Sequence, residues 1–417
     1  MKLASLGACK EVGKSAFWLK TKETRLLLDA GIKIHDHNEV PAFSNYACDA
    51  IIISHAHLDH SGGIPAVYKH ANPLTFCTHP TKPIVDLLLD DSDKISVCEN
   101  RPLPYARAHV KKYRKSIRRL GYNEEYEFRD KTRFSFLDAG HIPGSAQVLV
   151  EGEKRLLYTG DFNLSQTRLH GPAEAPKERV DYLIIESTYS QRDHSPREKL
   201  EKEFHDDVAR ALDDGFTVLV PAFAVGRTQE MLQVIDAGNF DCPVYMNGMG
   251  KKVCEIMYDY PDYLRDFKAF ESSVYRATPV NSRKQAASIF NKPSIVVSTA
   301  GMLEGGPMLS YLRTANKNGK AVVFLTGYQV EGTNGRRLVD EHSIKQNNKI
   351  TNIDLPVKQF DFSAHAGRKQ LIEYVKEVNP EKVFCVHGDS CDAFAGDLKS
   401  EGFDAVAPET NDVFDLD

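Results

Sequence analysis

The chain has 417 residues, 27% charged and 41% hydrophobic, with a formal net charge of −5. That length allows more than one domain with its own core, and the composition is ordinary for a water-soluble protein. No run reaches the ~18 apolar residues of a membrane span, the N-terminus enters a strand-like pattern without the length of a signal peptide, and the negative balance argues against a protein that coats nucleic acid. The eight cysteines include no Cys-x-x-Cys and read as reduced, buried thiols of a cytoplasmic protein.

Taken in chain order, six short apolar runs end in an acidic or metal-liking residue. Leu26-Leu27-Leu28 ends in Asp29. Ile51-Ile52-Ile53 leads to His55-Ala-His57-Leu-Asp59-His60, followed by Gly62-Gly63 and an apolar stretch from Ile64. From Arg107 to Arg119 stand seven Lys/Arg and no acid. Ala106, Val110, Tyr113, Ile117 and Leu120 recur there at helical spacing, which predicts an amphipathic helix with a basic outer face. That face is either plainly solvated or a contact for phosphate backbone; Arg283-Lys284 and Arg336-Arg337 are weaker candidates for such a contact. Phe134 to Leu137 leads to Asp138 and His141, Leu156-Leu157-Tyr158 to Asp161, and Leu183-Ile184-Ile185 to Glu186. From about Gln191 the pattern changes to strand–turn–helix units. Thr217–Val220, Pro243–Met246, Ser294–Val297 and Ala321–Leu325 each run into glycine or small residues, which predicts a parallel sheet. Glycine at those turns serves either tight turns alone or close approach of backbone amides to phosphates. Val383 to Val386 then ends in His387.

Short apolar runs with turn residues after them read as buried strands, and open α/β sheets build their sites just past strand ends. In an extended segment alternate side chains share a face, so His55 and His57 can address one ion. Asp59 and His60 can turn to a second ion if a helix begins there. Imidazole and carboxylate suit Zn²⁺, with Mn²⁺ or Fe tolerated. His141, Asp161 and His387 would complete two ligand sets, with Asp161 bridging. Singly, those three read equally well as hydrogen-bonded or capping residues; the four polar residues packed into six at one strand end do not.

His55-Ala-His57-Leu-Asp59-His60 with Gly62-Gly63 resembles the signature of the metallo-β-lactamase superfamily. Gly140-His141 and Tyr158-Thr-Gly-Asp161 resemble its later ligand motifs. Glu186-Ser-Thr-Tyr189, Phe362-Ser-Ala-His365 and Val386-His387-Gly388 resemble motifs A, B and C of its β-CASP branch of nucleic-acid-processing nucleases. Pro221-Ala-Phe-Ala-Val-Gly-Arg-Thr-Gln-Glu230, Ser298-Thr-Ala-Gly-Met302 and Thr326-Gly-Tyr-Gln-Val-Glu-Gly-Thr333 agree as well. The chain is most similar to the nuclease subunit of the cleavage and polyadenylation specificity factor and its archaeal relatives, in the form without KH domains, with ribonuclease J as the competitor.

The resemblance implies two Zn²⁺ ions, with Mn²⁺ as an alternative. One would be held by His55, His57 and His141, the other by Asp59, His60 and His387, with Asp161 shared. It implies Asp29 as the residue orienting the bound water or its ligands, His365 as general acid and Glu186 as its partner. Two ions roughly 3.5–4 Å apart would acidify a water, neutralise phosphate oxygens and hold an in-line attack; a histidine off the metals suits protonation of the leaving oxygen.

The implied fold is α/β: an αββα metallo-β-lactamase domain over residues 1–190 and 351–417, interrupted by an α/β β-CASP cap over 191–350. A cleft between the two would favour single-stranded RNA over a stiff duplex. The implied activity is a zinc-dependent ribonuclease of RNA 3′-end processing or decay, endonucleolytic or 5′–3′ exonucleolytic, without membrane association. A homodimer or a larger RNA-processing complex is the implied assembly. In the form without KH domains no RNA-binding domain is expected before the metal domain, so affinity for RNA is expected to be weak or borrowed from a partner. The competing readings are a hydrolase of small thioesters or lactams, which gives the insert and His365 no purpose, and a processing factor with a decayed site, which the full ligand set opposes.

Overall fold

The computed structural model describes residues 1–34, 38–346 and 349–417. All six apolar runs form strands. The chain divides into two compact units. One comprises Met1–Gln166, Pro172–Asp193 and Ala364–Asp417; the other comprises Thr167–Gly171 and His194–Ser363.

The first unit is built on two seven-stranded sheets. In one the order is Val413–Asp415, Lys2–Gly7, Ala16–Lys20, Arg25–Leu28, Ala50–Ile52, Leu74–Thr78, Ile117–Leu120. In the other it is Ala405–Val406, Lys382–Val386, Tyr182–Glu186, Arg155–Tyr158, Ala146–Glu151, Arg133–Asp138, Glu125–Glu127. Both sheets are mixed. Arg25–Leu28 runs parallel to Ala50–Ile52, and Arg155–Tyr158 runs parallel to Tyr182–Glu186 and on to Lys382–Val386. Five of the six strands that end in metal-liking residues are therefore neighbours within their sheets, while Arg133–Asp138 is set apart from Arg155–Tyr158 by Ala146–Glu151.

Period-two alternation divides each apolar run between two faces. Phe17, Leu26, Leu28 and Ile52 of the first sheet meet Phe134, Val148, Leu156, Ile184 and Phe384 of the second in one core. Leu157, Leu183, Ile185, Val383 and Cys385 point to the other side of the second sheet. There they pack against Leu371, Tyr374 and Val375 of helix Arg368–Val378 and Phe394 and Leu398 of helix Cys391–Ser400. Burial on both faces explains why these strands read as continuous hydrophobic runs.

The second unit carries a six-stranded, wholly parallel sheet in the order Ala277–Pro279, Val244–Asn247, Ile295–Ser298, Thr217–Pro221, Ala321–Leu325, Val357–Gln359. Helices Arg227–Ala237, Gly250–Met257, Met308–Asn318 and Asn334–Glu341 follow four of these strands, as the strand–turn–helix pattern predicts. The two edge strands are short and polar, and the pattern gave no sign of them.

Two expectations need correction. The predicted basic helix ends at Ser116: Ile117 is extended (φ −77°, ψ 136°), and Ile117–Leu120 pairs in parallel with Thr75–Thr78. A β-branched residue and a sheet edge in need of a partner override the helical spacing. The cysteines are all free, but Cys98 is exposed on helix Thr81–Glu99 and Cys242 is only partly covered, so burial does not extend to every thiol. Among the described residues no helix is long and apolar enough to cross a membrane.

Candidate metal centre

All the residues singled out in the sequence as metal ligands lie in the first unit, just past the ends of its strands. Asp29 directly follows Arg25–Leu28 in a left-handed conformation (φ 60°), a strain of about 1–3 kcal/mol that clusters at functional sites. His387, past Lys382–Val386, shares it (φ 51°). His55 and His57 follow Ala50–Ile52 in the loop that leads into the one-turn helix Leu58–Ser61, which carries Asp59 and His60. That helix is seated by missing side chains: a Cβ on Gly31 would lie 1.7 Å from the Asp59 carbonyl oxygen, and one on Gly63 would lie 2.4 Å from that of Gly31.

Beside a third group, Asp161 with Glu186 and His365, two groups of ligand-type atoms form there. His55, His57, His141 and Asp161 make one, and Asp59, His60, Asp161 and His387 the other, each with its candidate atoms within 4.8 Å of one another. Asp161 belongs to both. Its Oδ2 lies 3.6 Å from His55 Nε2 and 3.8 Å from His141 Nε2, while its Oδ1 lies 3.3 Å from His60 Nε2 and 3.2 Å from His387 Nδ1. His57 Nδ1 lies 3.2 Å from His141 Nε2, and Asp59 Oδ2 lies 3.3 Å from His387 Nε2.

The far sides of the rings are held. Asp29 Oδ2 lies 2.7 Å from His60 Nδ1 and also accepts from Ser54 Oγ (2.6 Å) and Tyr158 Oη (2.7 Å), while Asp29 Oδ1 accepts from the Ser54 amide (2.7 Å). Ser54 Oγ sits 3.0 Å from His55 Nδ1, and the Ala364 carbonyl 2.7 Å from His141 Nδ1. Such partners fix the ring and leave the opposite nitrogen facing inward.

The donor set fits divalent cations on three counts. His55 Nε2 and Asp161 Oδ1 are buried and make no hydrogen bond, an expensive condition for polar atoms unless a ligand takes them up. Burial first, and then neighbouring imidazoles, push His55 and His141 well below the usual histidine range, so their lone pairs are available. Burial alone would also strip protons from His60 and His387, but Asp161 and Asp59 raise both, aided at His60 by Asp29; the pocket demands positive charge.

His365 and Glu186 stand beside these groups. His365 Nδ1 lies 2.9 and 3.0 Å from the two Glu186 oxygens, and Glu186 is buried, also accepting from the Phe162 amide at 2.9 Å. The His365 ring packs 4.6 Å from that of His141. Burial would lower the His365 pKa, but Glu186 and then Asp161 and Asp59 carry it up to about 9. Every sequence-derived candidate is thus gathered in one place, Asp138 excepted, which stays at its strand end and accepts from the Gly140 amide at 2.8 Å. Ser54 and Tyr158 are additions; their signal was adjacency, Ser54 directly before His55 and Tyr158 opening the run to Asp161.

Three family models match the chain: the metallo-beta-lactamase superfamily over residues 10–213, the Beta-Casp domain over 228–338, and the Zn-dependent metallo-hydrolase RNA specificity domain over 352–408. It is 36% identical to the probable RNase MJ4 of Methanocaldococcus jannaschii, covering 98% of both chains. It is 35% identical to RNase aCSPSF2 of Saccharolobus solfataricus, over 99% of this chain and 85% of that one. It is also 36% identical to an RNase J-like protein of Methanocaldococcus jannaschii, over 92% and 91%. With the His/Asp constellation at the strand ends, two sheets sharing one core and a parallel α/β insert, these matches lead to one conclusion: the chain belongs to the β-CASP branch of the metallo-β-lactamase superfamily, the family of these archaeal relatives.

Proposed function

We propose that this protein is a zinc-dependent ribonuclease that hydrolyses phosphodiester bonds of single-stranded RNA, in RNA 3′-end processing or decay. The observation that carries the reading is Asp161, whose two oxygens face separate imidazole sets while His365, paired with Glu186, stands outside both. The RNase relatives and the RNA specificity match support RNA as substrate.

On this reading His55, His57, His141 and Asp161 would hold one Zn²⁺, and Asp59, His60, His387 and Asp161 a second. When bound, the pair supplies charge neutralisation at the phosphate and acidification of a water. The chain's own residues do the rest. Asp29 locks His60, Ser54 locks His55, and the Ala364 carbonyl locks His141, so the ligand atoms need no reorganisation. Glu186 fixes the His365 ring through Nδ1 and favours its protonated form, leaving Nε2 to give a proton to the departing ribose oxygen. Glu186 is thus a positioning residue and His365 the acid.

The test is cleavage of single-stranded RNA labelled at either end, by zinc-loaded wild type and by the double variant His57→Ala, His60→Ala. Discrete internal cuts that vanish in the variant are expected. A wild type that binds zinc yet cleaves no RNA overturns the proposal. A second reading, 5′–3′ exoribonuclease activity, is favoured by the likeness to the RNase J-like protein, and release of 5′ mononucleotides in the same experiment would select it.

A further inference from the structure

The basic segment that begins at Arg107 divides into two populations. Arg107 is tied to Asp93 at 2.7 Å, and Arg114 to Asp86 at 2.9 Å and Asp90 at 2.8 Å, all on helix Thr81–Glu99. Those acids are thereby used. Among the described residues, no carboxylate comes within 4.0 Å of Lys69, Lys111, Lys112, Lys115, Arg118 or Arg119. Lys111 and Lys115 are exposed and one turn apart on helix Arg107–Ser116, so they share a face with Arg107. Arg118 and Arg119 are exposed on Ile117–Leu120, the edge strand of the first sheet. In a chain of net charge −5, such a concentration is a local exception. A second sign of positive potential is His109: partial loss of solvent and then Lys112, Lys69 and His70 push it below the usual imidazole range.

The sheet register sets how far this patch is from the metal centre. Ile52 pairs with Phe76 and Phe76 with Arg118, all in parallel. Arg119 therefore lies level with Ile53, two residues before His55, and only two strands across. At about 4.8 Å per strand the lateral separation is about 10 Å. The cations start at the edge of the sheet from which His55 projects and continue back along the preceding helix.

We propose that Lys111, Lys115 and Arg119 form a phosphate-backbone track that holds single-stranded RNA alongside the metal centre. The inference rests on the ribonuclease reading and adds to it a basic surface for the RNA backbone in a chain of net negative charge. Cations on flexible stems bind phosphates without reading bases, so the track takes RNA irrespective of sequence.

The test uses the full chain loaded with zinc. The triple variant Lys111→Glu, Lys115→Glu, Arg119→Glu is compared with wild type, with the milder Lys111→Gln, Lys115→Gln pair, and with a charge-matched control on exposed lysines of the second unit, Lys268→Glu, Lys292→Glu, Lys320→Glu. The readouts are Kd for a 30-nucleotide RNA across salt concentrations and hydrolysis of bis(p-nitrophenyl) phosphate, which is too small to reach the track. Binding should weaken at least tenfold in the triple variant and by a smaller factor in the Gln pair. The slope of log K against log salt should shrink by about two in the triple variant, at roughly 0.7 for each phosphate no longer neutralised. Hydrolysis of the small diester should stay unchanged throughout. Unchanged RNA affinity and slope in a variant that still turns over the small diester would overturn the track while leaving the ribonuclease reading standing. So would an equal loss in the control, or unaltered RNA binding with loss of adhesion to phosphatidylserine vesicles. A wild type that hydrolyses the small diester but neither binds nor cuts RNA would overturn both.

Discussion

Asp161 is the residue on which the two ligand groups meet, because its oxygens cannot be rearranged without losing one side. Replacing it with Asn keeps the shape but removes the charge that burial and four histidines have organised around. Asp161→Asn should abolish stoichiometric zinc binding, read by metal analysis of the purified protein, and retention of full metal would contradict the shared-ligand role. His365→Ala should behave oppositely, keeping its zinc while turnover falls by about 10²–10⁴, the usual contribution of a general acid. Equal zinc loss in that variant would remove the acid assignment. Tyr158→Phe deletes a hydrogen bond to Asp29 and a longer contact, 3.4 Å, with His60 Nδ1, and leaves the inward-facing nitrogen of that ring in place. Loss of such an outer partner typically costs about 10–100-fold in metal affinity, measurable by competition with a chelator.

At the scale of elements, the strands were legible because they are buried on both faces and bounded by turn residues. The candidate ligands were legible because four of them sit within six residues. What the sequence could not reveal depends on contacts distant in the chain. Ile117–Leu120 fits a helical pattern until the open edge beside Leu74–Thr78 claims it. Ala277–Pro279 and Val357–Gln359 are strands only because a parallel sheet lies beside them. Ser54 and Tyr158 look like ordinary strand-end residues until Asp29, 25 and 129 positions away, comes between them. The seat of helix Leu58–Ser61 is an element-scale test of this close packing. Gly31→Ala would drive a methyl into the Asp59 carbonyl, so the variant should lower the unfolding midpoint and loosen zinc together. A normal midpoint with normal zinc would mean the loop relaxes freely.

On the scale of the whole molecule, acid stability carries a contribution from His170. This histidine is buried in the second unit with Nε2 unpartnered; burial, only partly offset by Glu230, pushes its pKa from 6.5 down to about 4. The folded state then binds the proton less readily than the unfolded one between those values, so this stability is present above pH 6.5 and is lost as pH falls toward 4. The denaturant midpoint should drop from pH 7 to pH 5, and His170→Phe should flatten that part of the profile; an unaltered profile would assign the acid sensitivity elsewhere. Each unit has a core of its own, that of the second including Leu219, Val296, Leu312 and Val323, and this predicts a second behaviour. Chelation should increase amide exchange at Ala50–Ile52 and Lys382–Val386 while leaving Thr217–Pro221 and Ile295–Ser298 unchanged, since bound metal stabilises only the unit that holds it.

The metal centre draws on both sides of the insert, and this has a consequence in time. Asp29 is synthesised early, His387 only after the whole parallel α/β unit, and Val413–Asp415 pairs with Lys2–Gly7 later still. At 5–20 residues per second, roughly 20–70 s separate the first of these site residues from the last. During that interval the growing polypeptide cannot close the ring around Asp161. For a protein read as a ribonuclease, the order of its own translation thus delays activity until His387, beyond the whole insert, has been made.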